Sequence, residues 1–182
     1  MILRNFFKDY IDGTLEKAIV ADRKMFLCHL TQAVSNGIKT NKNINNVHIT
    51  SRLLKHLFDK KPAEEFMFLL DNLHKIVKYP DKIYKNKAAK RGCFCFVKRI
   101  GDFEYLCSLE VIKIPPAIFG EAVFGVSEFG AEKEREEIQI ATAFRLRDGK
   151  YIKNYTLLWD WGNGNPHRSA LDAPEESTNA PQ

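Results

Sequence analysis

Apolar positions recur at helical spacing in the first half of this chain and alternate with polar ones in the second half. Leu15, Ala18, Ile19, Phe26, Leu30, Ala33 and Val34 predict a first helix over 14–35, with an Asp12-Gly13 turn before it and Asn36-Gly37 after it. The polar stretch to Asn46 reads as a linker. A second helix starts at Thr50 or Ser51, either of which is able to cap it, and buries Leu53, Leu54, Leu57 and Phe58. A third starts near Pro62, where a missing N–H costs little, and repeats Phe66, Leu69, Leu70, Leu73, Ile76 and Val77. Tyr79-Pro80-Asp81 ends it, because a residue before proline avoids helical geometry.

Strand patterns follow. CFCFVKR after Gly92, a turn at Ile100-Gly101-Asp102 and FEYLCSLEVI predict an antiparallel hairpin. On its second arm Phe103, Tyr105, Cys107, Leu109 and Val111 share one face, and Glu104, Ser108 and Glu110 the other. Pro115-Pro116 stops that arm. The glycine-punctuated stretch over 117–130 has no clear period, and Glu132 to Glu137 reads as a solvated acidic face. Ile138 to Leu146 alternates, with Ile138, Ile140, Thr142, Phe144 and Leu146 on one side and Gln139, Ala141, Ala143 and Arg145 on the other. Asp148-Gly149 is a hairpin signal that makes Tyr151 to Trp159 the partner strand. Helices first and strands after give an α+β fold with an antiparallel sheet of about four strands. The divisions are an N-terminal helix and linker over 1–46, a domain over 47–161 and a disordered polar tail over 162–182.

Composition narrows the class. With 45% hydrophobic residues and thirteen Phe among 182 residues, the chain fills a real core. No run reaches the length of a membrane span, and MILRNFFKDYIDG, broken by Arg4, Lys8 and Asp9, does not read as a secretory signal. A cytoplasm is the expected location, either the cell's own or one that the protein enters. Cys28, Cys93, Cys95 and Cys107 read as reduced thiols, since C-x-C with one further cysteine is poor metal spacing. No cofactor is expected.

Charge sharpens the picture. The net charge of +5 hides an uneven distribution, because Lys82 to Arg99 holds seven Lys/Arg and no Asp/Glu. From Asn36 to Arg99 there are fifteen Lys/Arg against five Asp/Glu. Such a segment suits a large anion, a nucleic acid above all. A solubilising surface is the competing reading.

Arg52 and His56, four apart, share a helix face with His48 just before it. Imidazole moves protons near neutral pH, and guanidinium neutralises charge building on a phosphorane. RNA carries its own nucleophile in the 2′-OH, so these groups suffice to cut it. The basic half lacks the converging carboxylates that metal-dependent cleavage uses, and no H-E-x-x-H is present. Thr142, a hydroxyl on an apolar strand face, is either a phosphate contact or an ordinary strand threonine. Phe94, Phe96, Trp159 and Trp161 are either base-stacking platforms or core.

The order HITSRLLKHL, a helix, VKYPDKIYKNKAAKRG, a Cys/Phe strand ending VKR, and IQIATAFRL resembles the phage-type members of the barnase–EndoU–colicin–RelE-like (BECR) nuclease superfamily. The likeness covers Val47 to Trp159. It implies helices before a four-stranded antiparallel sheet and a metal-independent endoribonuclease, a toxin or phage effector, that yields a 2′,3′-cyclic phosphate. On this resemblance His56 is the general base or acid with His48 beside it, Arg52 and Arg91 clamp the phosphate, Lys98 stabilises the pentavalent state and Thr142 positions an oxygen. Lys82, Lys85, Lys87, Lys90 and Arg99 hold the RNA. An acidic antitoxin or immunity protein is the expected protein partner. The alternative is a non-catalytic nucleic-acid-binding or protein-binding domain that uses the same basic face.

Overall fold

Leu3, Phe6 and Phe7 lie three and four residues apart, and this short stripe builds the first helix, α1 (Ile2–Tyr10). The computed structural model describes residues 2–38, 44–88, 91–114 and 135–161. A turn at Ile11-Asp12-Gly13 ends α1, with Gly13 at φ +73° and the Thr14 N–H donating to Ile11 O at 3.0 Å. The long helix expected over 14–35 does not form. An irregular segment exposes Leu15 and Ile19, and β1 (Lys24–His29) and α2 (Gln32–Ile38) follow. The run KMFLCH carries apolar residues on both sides, and so short a run has no decisive period. Pairing with a neighbouring strand makes it β.

The next elements follow their local signals. β2 (Asn46–Thr50) runs directly into α3 (Ser51–Lys60). Thr50 Oγ1 caps α3 by accepting the Leu53 N–H at 3.2 Å. Thr50→Ala should cost about 1 kcal/mol, read as a lower urea midpoint with an unchanged m-value. α4 (Ala63–Lys78) starts after Pro62, with Glu64 and Glu65 in its first turn. β3 (Lys82–Lys85), β4 (Phe94–Ile100), β5 (Phe103–Ile114), β6 (Arg135–Leu146) and β7 (Thr156–Asp160) complete the described elements. The β4–β5 turn has Gly101 at φ +60°, as the hairpin reading expects.

The sheet is larger than expected. It has seven strands, in the order β1-β2-β6-β5-β4-β3-β7, and is mixed because β2 and β6 pair in parallel. Two strands missing from the sequence reading, β1 and β2, extend it at one edge, so the segment before Val47 is part of the same sheet and core. The short basic stretch KIYK becomes β3, with Ile83 fully buried between β4 and β7.

One sheet face carries the helices. Leu54, Leu57, Phe66, Leu69 and Leu73 from α3 and α4 join Ile49, Phe96, Cys107, Leu109, Ile140 and Trp159 in one core. Phe94, Phe96 and Trp159 therefore belong to this core. Cys95, Val97, Leu106 and Leu146 on the opposite face make a smaller cluster that Ile152 and Tyr155 partly cover. This second cluster overturns the Asp148-Gly149 hairpin. Asp148 instead caps a 3-10 turn over Gly149–Ile152, accepting the Lys150 N–H at 2.9 Å. The chain then crosses the second face, burying apolar side chains on it, and adds β7 beside β3.

Candidate functional site

A bulge in β6 decides which residues meet on the second sheet face. Ser108 pairs with Thr142 but Leu109 pairs with Ile140, leaving Ala141 as the extra residue. Below it Ile138 and Ile140 face the helices. Above it Ala143 does, and Thr142 and Phe144 turn to the second face with Gln139. The single alternation expected from Ile138 to Leu146 is thus broken at its midpoint.

A polar row crosses the strands here. Phe26 on β1 pairs with His48 on β2, His48 with Gln139 on β6, and Gln139 with Glu110 on β5. Glu110, itself buried, accepts from Arg91 Nε at 3.0 and 3.1 Å and from Nη2 at 2.5 Å. That bidentate geometry is the strong form of a charge-assisted bond. Gly92, at φ +66°, places Arg91, and its carbonyl accepts the Ser108 hydroxyl at 2.8 Å.

Glu137 is the second anchor. It is buried and accepts from Lys24 Nζ at 2.8 Å and Gln139 Nε2 at 2.7 Å. His48 Nδ1 lies 3.7 Å from the same carboxylate, buried and without a hydrogen-bond partner. The Phe26 ring meets the imidazole edge-on at 5.9 Å. Burial lowers the His48 pKa, the Glu137 charge opposes this, and Lys24 adds to the lowering. Burial pushes the Glu137 carboxyl up, but the bonds from Gln139 and Lys24 and the charge of His48 outweigh it and leave it low. A neutral imidazole beside an ionised carboxylate is thus the neutral-pH state.

Both folded values lie below the ordinary ones, so each group adds stability at high pH and loses it on acidification. His48 gives the first loss, as pH falls below its ordinary 6.5, and Glu137 the second, below 4.5. The melting temperature should fall between about pH 7 and about pH 5, and His48→Gln should flatten that step in a series of thermal melts.

The residues singled out by sequence are divided between the faces. His48, Arg91 and Thr142 share the second face. Arg52 and His56 are exposed on α3 in the helix layer, with Arg52 Nη1 donating to Asp22 at 3.3 Å. They do not converge with Arg91 and Thr142. Lys98 donates to the Tyr79 carbonyl at 2.6 Å and to Asp81 at 3.1 Å, where it closes the end of α4. Lys82 lies 3.7 Å from Asp160, and Asp81 accepts the Arg99 backbone N–H at 2.7 Å. Lys85 sits over the Phe94 ring, 5.7 Å from its centroid, and Lys87 is exposed. Lys90, Glu132, Glu134, the stretch over 117–130 and the tail lie outside the described residues.

Sequence reasoning missed Lys24, Glu110, Glu137 and Gln139. Glu137 closes an acidic run, yet it stands two residues before Gln139 and so shares its face. Carrying the alternation of β6 back by two residues is the signal that finds it. Among the described residues, no group of three or more His, Cys, Asp or Glu is placed to hold a metal ion, and no helix is long and apolar enough to cross a membrane. The four cysteines are free thiols. Comparison with protein-family models, with curated proteins and with solved structures finds no match.

Proposed function

We propose that the protein is a metal-independent endoribonuclease of the BECR type, with its site on the polar sheet face and His48, in place of His56, as the proton-transfer group. The observation that carries this reading is the His48 ring, buried at Nδ1 and 3.7 Å from a carboxylate that Lys24 and Gln139 hold in place. In the proposed step His48 takes the 2′-OH proton as O2′ bonds to phosphorus. The P–O5′ bond breaks, and water returns a proton to the 5′ oxygen, leaving a 2′,3′-cyclic phosphate. Arg91 spends Nε and Nη2 on Glu110, and its remaining N–H groups are free to meet phosphate oxygens. Lys24 adds positive charge beside His48, and Thr142 borders the same face.

Mixed RNA incubated with the protein in EDTA is the direct test. Cleavage should persist and leave cyclic phosphate ends, and a 2′-deoxy substitution at the cut site should block it. Loss of all cleavage in EDTA, or equal cleavage of the deoxy substrate, overturns the mechanism. An acidic inhibitor is the partner such an enzyme would need.

The non-catalytic alternative uses the same basic face, and one observation weakens that face under either reading. Much of the basic run is neutralised internally, Lys82 by Asp160 and Lys98 by Asp81, so its charge is less available to a substrate than its composition implies. Salt-sensitive RNA binding with no cleavage under any condition would establish the non-catalytic alternative.

A further inference from the structure

A further group of cationic side chains that reach solvent gathers where β6 ends. A cleft of about 590 Å³ opens between the α3–α4 corner and the 3-10 turn, and Lys60, Lys61, Arg145, Arg147 and Lys150 line it against Glu65 and Asp148 alone. A second cleft of about 560 Å³ adjoins it through Arg145, Leu146 and Arg147 and adds Arg99 and Phe103 beside two acids, Asp102 and Glu104. Glu65 belongs to the floor. Its nearly buried carboxylate accepts the Arg145 backbone N–H at 3.1 Å and lies 3.5 Å from Lys61 Nζ. Arg147 Nη2 lies 3.7 Å from Glu65 and Lys150 Nζ 3.5 Å from Asp148, but these are weak solvent-side pairs, and the two cations keep 73% and 86% of their side chains exposed.

Aromatic rings alternate with these cations. Tyr151 is half exposed and meets Phe144 edge-on at 5.0 Å. The Arg145 guanidinium lies 3.3 Å from the centroid of the half-exposed Phe103 ring. Positive side chains that track a backbone, interleaved with flat rings, are what a single strand of nucleic acid requires. Each cleft falls in the ~300–1,000 Å³ range of small-ligand sites, a scale that suits unpaired nucleotides better than a duplex.

We propose that this double cleft is a binding site for single-stranded nucleic acid, separate from the His48 face, with Arg147 and Lys150 on phosphates and Tyr151 as a base platform. The site does not depend on catalysis at His48.

The test is fluorescence anisotropy of the full chain with short labelled oligothymidylate, which has no 2′-OH to cleave. Binding should weaken with salt. The R147E/K150E double variant should flatten the log–log salt slope by about 1.4, the value for two lost single-strand phosphate contacts. Tyr151→Ala should weaken binding about fivefold or more. Lys8→Glu, on the exposed side of α1, should bind as wild type does. Absence of wild-type binding at low salt, an unchanged slope in a folded R147E/K150E protein, an equal loss in Lys8→Glu, or tighter binding of a duplex would each overturn the proposal. Binding that persists when His48→Ala leaves cleavage unaltered would sink the catalytic reading alone.

Discussion

His48→Ala should slow RNA cleavage by about 10²–10⁴-fold, the usual contribution of a positioned proton-transfer group, while His56→Ala leaves the rate at the wild-type level. The contrast follows from the layers. His56 is exposed on α3, with the sheet between it and Arg91, so no substrate phosphate touches both. His48 stands in register with Gln139 and Glu110 and faces the Glu137 carboxylate. The pH profile separates a catalytic from a packing role. Cleavage needs the neutral imidazole, so its acid limb should have a midpoint below the ordinary imidazole value of 6.5, as burial of His48 requires. Glu137→Gln removes the one charge that raises the His48 pKa and should move that midpoint lower still. Equal rates for wild type and a folded His48→Ala protein would end the assignment, as would an acid limb insensitive to Glu137→Gln.

The largest stability effect is expected at a residue with no side chain. Gly92→Ala should destabilise the protein by about 2–5 kcal/mol, the sum of two separate costs. Gly92 sits at φ +66°, in the left-handed region that costs other residues about 1–2 kcal/mol. A Cβ there would lie 2.0 Å from Ser108 Oγ and 3.1 Å from Ala141 Cβ. Ser108 is buried and donates to the Gly92 carbonyl, so displacing it strands a buried hydroxyl, at a further ~1–3 kcal/mol. Ser108→Gly in the same chain should restore part of the loss, the coupling that a double-mutant cycle detects. Additive effects in urea unfolding would show that the two residues do not press on each other. Arg91 precedes Gly92, so the single variant should also disturb the Arg91–Glu110 pair and weaken RNA cleavage.

The N-terminal third shows where sequence reasoning loses its grip. The stripe from Leu15 to Val34 matched a helix as well as any in the chain, yet Leu15 and Ile19 end up exposed and Phe26 in an edge strand. Lys55 explains part of this. It is buried in α3, donates to the Leu15 carbonyl at 2.8 Å and pairs with Asp59, and Asp59 accepts the Lys17 N–H at 3.1 Å. The irregular segment is thus fastened by side chains 40 and 42 positions away, contacts that no local period encodes. β3 was missed for a similar reason: four residues with two lysines look like surface until β4 and β7 close on either side of Ile83. The site was half legible. His48, Arg91 and Thr142 stand out by residue type, but Glu110 and Glu137 look like ordinary surface acids because the cationic partners that accompany their burial are remote in sequence.

Local signals alone determined α3 with its Thr50 cap, α4 between Pro62 and Pro80, the β4–β5 hairpin about Gly101 and the strand character of β6. Each is decided within about one turn or one hairpin, where caps, proline geometry and side-chain alternation act without outside help. Tertiary structure decided the seven-strand order, the parallel β2–β6 pair, the crossover to β7 and the parity switch at Ala141. Those depend on burying two separate apolar clusters on opposite sides of one sheet, a requirement that only the whole chain can meet. The same requirement sends His56 to one side of the sheet and His48 to the other.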